Sequence, residues 1–130
     1  MNSANETAAR YAILVADDQP EMVEVIACWL RGAGHCVVCA HSGREAATIL
    51  RSFDVDVLIT DILMPDGDGL ELIQAARSRT PVPRIIAMSG GGKFLSARDC
   101  LGIAHGFGAA ACLAKPFAPE ELLAAIGAVA

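Results

Sequence analysis

Lysine is nearly absent from this chain, occurring only at Lys93 and Lys115 against eight arginines. There is no basic cluster, and the formal net charge is −5, so a cationic nucleic-acid surface is not indicated. No apolar stretch approaches the ~18 residues a membrane span requires, and even LLAAIGAVA at the end of the chain is too short. The opening MNSANETAARY lacks a basic region followed by a long apolar run, so no secretory signal is read and a cytoplasmic location is expected. Low-complexity segments, internal repeats and linkers are also missing. What remains is 130 residues, 54% of them apolar, which is enough for one domain with a single core and rules out disorder of the whole chain.

The five cysteines (Cys28, Cys36, Cys39, Cys100 and Cys112) are odd in number and scattered through apolar segments, as expected of reduced thiols. HCVVCAH contains a C-x-x-C flanked by His35 and His41, which raises a zinc reading. CVVCA reads as a strand, however, where residues three apart point to opposite faces, so Cys36 and Cys39 do not converge on one ion.

Apolar strand-like runs alternate with helical patterns. The spacing predicts strands at Tyr11–Ala16, Cys36–Ala40, Val55–Thr60, Arg84–Ser89 and Ala110–Ala114, several of them nearly continuous in apolar residues, as in strands covered on both faces. Helices are predicted from about Pro20 to Arg31, from a capping box at Ser42-Gly43-Arg44-Glu45, from about Asp68, across FLSARDCLGIAHGF, and from Pro119. Residues 1–10 read as a tail and 11–130 as the domain. Such (βα)5 alternation predicts a parallel sheet with helices on both faces. In folds of this kind ligands sit at the carboxyl ends of the strands.

Those ends carry the chemistry. Strand one delivers Asp17 and Asp18, strand three Asp61, strand four Ser89, and strand five Lys115 followed by Pro116; strand two delivers only His41 and Ser42. Adjacent carboxylates repel, so a cation is expected to balance them. A hard ion such as Mg²⁺ takes oxygen ligands from one or two carboxylates and shares phosphate oxygens. Asp17, Asp18 and Asp61 could supply that site. A carboxylate can itself be a nucleophile, forming an aspartyl-phosphate, with Lys115 as a point charge and Ser89 as a hydrogen-bond donor to the phosphoryl oxygens. Taken singly, each of these residues could merely solvate the rim of the sheet; together they point to phosphoryl chemistry.

ADDQPE after the first strand, ITDILMPDGDGLEL around Asp61, IIAMSGGG and GAAACLAKPF together resemble the receiver domain of two-component response regulators, in its stand-alone, chemotaxis-regulator-like form. The resemblance covers residues 11–129. It implies a flavodoxin-like α/β fold, a three-layer sandwich with strand order 2-1-3-4-5. It implies Asp61 as phosphoacceptor, Mg²⁺ held by Asp18, Asp61 and the main-chain carbonyl of Leu63 with Asp17 in support, and Ser89 and Lys115 on the phosphoryl group. It also implies a cis Lys115–Pro116 bond. The implied partners are a sensor histidine kinase or phosphotransfer protein and a downstream protein, with no nucleic acid, no membrane and no enzymatic turnover beyond slow self-dephosphorylation. Because no effector follows the last helix, the chain is expected to act alone. One departure stands out: where receivers usually carry an aromatic residue three positions before the lysine, this chain has Cys112.

Other motifs lead elsewhere or nowhere. SGGGK lacks the glycine and the Ser or Thr of a P-loop, having Ala87 and Phe94 in their places, and is read as a loop beside Ser89 with Lys93 solvated. DGDG lacks the spaced ligands of a calcium loop and is read as a turn into an Asp68 cap. Trp29 and Phe53 are read as packing residues, and His35, His41 and His105 as ordinary surface or loop histidines. Two rival functions remain. A phosphatase with an aspartyl-phosphate intermediate would need a second aspartate two residues after the first, where Leu63 stands. A degenerate receiver serving as a fixed interaction module would not need Asp18, Asp61, Ser89 and Lys115.

Overall fold

In a computed structural model, which describes residues 10–64, 69–90, 102, 105–106 and 108–127, five strands form one parallel sheet. The strands are β1 (Ala12–Ala16), β2 (Cys36–Ala40), β3 (Val57–Asp61), β4 (Arg84–Ser89) and β5 (Ala111–Ala114). Their order across the sheet is β2-β1-β3-β4-β5, as the resemblance implied. The helices are α1 (Pro20–Gly32), α2 (Gly43–Ser52), α3 (Gly69–Arg77) and α4 (Pro119–Gly127). The helix expected across FLSARDCLGIAHGF and the residues before Arg10 lie largely outside the described residues. No helix among the described residues is long and apolar enough to cross a membrane.

Strand alternation sorts the core into two layers. Ile13, Val15, Val57, Ile59, Ile86 and Met88 face α1 and α4, where they meet Val23, Ile26, Leu30, Leu122 and Ile126. Leu14, Ala16, Leu58, Ile85 and Ala87 face the other way, onto Ala46 and Leu50 of α2 and Leu72, Ile73 and Ala76 of α3. The central strands are therefore apolar at almost every position, whereas β2, at the sheet edge, alternates exposed and half-buried residues before ending at buried Ala40. Along β2, Val37 and Cys39 pack toward α1 while Cys36 is exposed, so the two thiols leave opposite faces.

Local chemistry marks the element ends. Pro20 occupies the first turn of α1, and Gly34 at φ 99° closes it, its N–H bonding to the Arg31 carbonyl. Ser42 caps α2 by accepting from the Glu45 N–H at 3.0 Å. Glu45 reaches back one residue further than a standard capping box and accepts from the His41 N–H at 2.6 Å.

Several expectations are corrected; β3 runs on to Asp61 rather than ending at Thr60, and β5 starts at Ala111 rather than Ala110. β3 starts at Val57 rather than Val55, because the Asp56 carboxylate takes the Ala12 N–H at 2.7 Å where a strand carbonyl would otherwise accept. β1 starts at Ala12 rather than Tyr11, whose N–H is held by His35 Nδ1 at 3.1 Å. Phe53 is not a packing residue: it is 58% exposed and serves to end α2 through its N–H bond to the Ile49 carbonyl. Trp29 does pack, edge-on to Phe117 with ring centroids 6.3 Å apart.

Candidate functional site

The carboxyl ends of β1, β3, β4 and β5 lie side by side, and the ladder continues past them. The Asp17 N–H bonds to the Ala40 carbonyl, the Ile62 N–H to that of Met88 and the Lys115 N–H to that of Ser89. These bonds hold the first residue beyond each strand at a fixed height. Asp17, Asp18 and Asp61 each contribute a carboxylate oxygen to a cluster in which all three atoms lie within 4.8 Å of one another. The structure thus unites residues up to 98 positions apart that strand-end reading had grouped.

The Lys115 ammonium lies between two of these carboxylates, 2.6 Å from Asp17 Oδ2 and 3.1 Å from Asp61 Oδ2. The remaining Asp17 oxygen, Oδ1, accepts from the Gln19 N–H at 3.0 Å. Asp17 is fully buried with both oxygens committed, whereas Asp18 is exposed. Asp61 is 8% exposed, with Oδ1 weakly bonded to the Leu63 N–H at 3.4 Å. Burial pushes the Asp61 carboxyl above its usual range, against the pull of Lys115. Burial would lower the Lys115 pKa, but its hydrogen bond to Asp17 and the charges of Asp61 and Asp17 together outweigh this and raise it. The cluster therefore favours the charged form of Lys115 and disfavours that of Asp61.

The donor set is all oxygen, as a hard divalent ion prefers. Three carboxylate oxygens within 4.8 Å of one another fit the ligand set of such an ion. Ser89, buried at 1% exposure, ends β4 one residue past Met88, the register partner of Asp61. Lys115–Pro116 is cis, as expected. Thr80–Pro81 is also cis, which nothing in the sequence reading signalled. His41, at the end of β2, turns to Glu45 at 3.6 Å rather than to the cluster. Cys112 is half-buried and packs on the α2–α3 side of the sheet. Gly91, Gly92 and Lys93, and the Asp68 cap, lie outside the described residues.

Two residues that shape the site were missed. Gly69 begins α3 with its N–H on the Ile62 carbonyl at 2.9 Å, and a Cβ there would overlap the Asp61 carbonyl oxygen. Only glycine lets the helix start so close to the strand end. Its place in DGDG was the available signal, read merely as a turn. Thr60 is buried and donates its hydroxyl to the Asp61 carbonyl at 3.0 Å.

With this geometry in place, the similarity to known proteins is informative. The family model described as response regulator receiver domain matches residues 13–127. Response regulator GtcR of Aneurinibacillus migulanus is 35% identical over 116 residues, covering 89% of this chain and 46% of that protein. The DNA-binding response regulator MtrA of Mycolicibacterium smegmatis is 30% identical over 122 residues, 92% of this chain and 50% of that one. The chain thus spans about half the length of the curated relatives it matches. Among solved structures, the chemotaxis response regulator CheY4 of Vibrio cholerae superposes with a TM-score of 0.82 at 27% identity, covering 94% of this chain and all of that one.

Proposed function

The chain belongs to the response regulator receiver domain family, and on that premise we propose that residues 11–130 accept a phosphoryl group on Asp61. The observation that carries this reading is the cluster of Asp17, Asp18 and Asp61 with the Lys115 ammonium between two of its carboxylates. Asp61 has the most suitable position for the acceptor, at the end of the central strand and within reach of Lys115.

In the proposed reaction, an oxygen of Asp61 bonds to phosphorus as the donor's imidazole nitrogen–phosphorus bond breaks. The bonding pair of the broken bond stays with the imidazole. Asp18, Asp61 and the Leu63 carbonyl would hold Mg²⁺, with Asp17 orienting Lys115. The ion would supply positive charge that keeps the carboxylates ionised and neutralises the phosphoryl oxygens. Lys115 would move from its Asp61 contact to a phosphoryl oxygen, remaining anchored by Asp17. The Ser89 hydroxyl would donate to another oxygen.

The partners on this reading are a sensor histidine kinase or phosphotransfer protein as donor and a downstream protein as target. Output would be a change in protein binding as the acyl phosphate shifts the domain between two states. Because Cys112 has no ring to rotate, the switch is proposed to run through Ser89 and the Gly90-Gly91-Gly92 sequence that follows it.

Incubation with Mg²⁺ and acetyl phosphate, followed by intact-mass analysis, tests the proposal. One added phosphoryl group, absent from Asp61→Asn, is expected. Labelling that survives Asp61→Asn would remove the assignment. Multiple turnover would favour a phosphatase, and no labelling at all a fixed interaction module.

A further inference from the structure

At the end of the sheet opposite Asp61, the segments leading into β3 and β4 border a solvent-open cavity of about 320 Å³. Its apolar wall includes Leu50 and Pro83, both buried, and half-buried Val55. Its charged groups are Asp54, Asp56 and Arg79. A carboxylate and a guanidinium sharing a cavity would ordinarily pair if they could reach each other. Here they do not. Among the described residues, the side chains of Asp54 and Arg79 have neither a hydrogen bond nor an ion pair. Asp56 has one oxygen fixed by the Ala12 N–H and keeps the other.

The cavity therefore presents hydrated charges of both signs, Asp54 and Arg79 without a partner among the described residues, beside an apolar surface. A simple anion would meet two carboxylates, and a simple cation would leave the guanidinium unmatched. The volume lies at the small end of the roughly 300–1,000 Å³ typical of ligand sites, too small for a nucleotide. We propose that this cavity binds a small zwitterion with an apolar body, namely a free apolar α-amino acid. Its ammonium would face Asp54 and Asp56, its carboxylate would take the planar fork of Arg79, and its side chain would lie on Leu50, Val55 and Pro83. The proposal does not rest on the reading of the phosphoacceptor end.

Titration of the isotope-labelled full chain with L-leucine and L-phenylalanine, followed by amide NMR shifts, tests it. Saturable shifts centred on residues 50–56 and 79–84 are expected for at least one of the two. Arg79→Gln and Asp54→Asn should each weaken binding about tenfold, the worth of one charge-assisted hydrogen bond. Leucinamide and 4-methylpentanoate, each lacking one charge, should bind the parent about tenfold more weakly than leucine. Asp54 is exposed and Arg79 only half-buried, so both variants should melt close to the parent. The proposal is overturned if neither amino acid produces saturable shifts. Binding that survives both substitutions, or a singly charged analogue or glycine that binds as well as leucine, would overturn it equally.

Discussion

Replacing Lys115 by methionine would show how the acidic cluster tolerates its own charge. Methionine keeps most of the stem's packing and removes only the ammonium. Asp17 is 0% exposed and Asp61 11% exposed at the side chain, so neither can recover full hydration when the cation goes. Removing one partner of a buried ion pair costs about 3–5 kcal/mol, chiefly through the charge left behind. The Gln19 N–H still supports Asp17, and the open side at Asp18 admits water, which places the loss near 3 kcal/mol. With a urea dependence of about 1.5 kcal/mol/M, the unfolding midpoint should fall by roughly 2 M. Trp29, the single tryptophan, packs on Phe117 two residues beyond Lys115 and reports the transition by fluorescence. The measurement is made in EDTA and again with saturating Mg²⁺. Since a divalent ion replaces the missing positive charge, Mg²⁺ should return much of the lost stability and should stabilise Lys115→Met more than the parent. A midpoint unchanged in EDTA would refute the reasoning. So would a loss that Mg²⁺ leaves untouched.

Three further outcomes follow from the same geometry. Asp17 has both oxygens committed while Asp18 is exposed, so Asp18→Ala should weaken Mg²⁺ binding more than Asp17→Ala in a calorimetric titration, and equal losses would contradict this. Gly69→Ala should destabilise the fold by about 3 kcal/mol, from overlap with the Asp61 backbone and the disturbed bond to Ile62, whereas Gly32→Ala, with open space around it, should be neutral or slightly stabilising in the same urea assay. Burial raises the folded Asp61 pKa, so its contribution is most favourable below the ordinary carboxylate range and is lost as pH rises through the raised value. Asp61→Asn should therefore melt above the parent at neutral pH in EDTA, the gap closing in acid, and a lower-melting variant at neutral pH would refute the sign.

The sequence by itself determined the alternation of strands and helices, because an apolar run covered on both faces and a 3.6-residue stripe are local patterns. It also determined which polar residues end the strands, and so places Asp17, Asp18, Asp61, Ser89 and Lys115 on one edge of the sheet. The α2 cap was legible for the same reason, since Ser42 and Glu45 act within one turn. Tertiary structure decided what depends on chains meeting from a distance. That Asp17 is the buried carboxylate and Asp18 the exposed one follows from Lys115, 98 residues away, approaching a single side of the pair. β3 starts at Val57 because Asp56 is spent on Ala12, 44 residues earlier, and Phe53 lies outside the core because α2 ends there rather than packing onward. Gly69 is required only because the start of α3 presses against the Asp61 carbonyl. The cavity around Asp54 and Arg79 likewise exists only once the β3 and β4 approaches are side by side, since no local pattern brings two separate loops together.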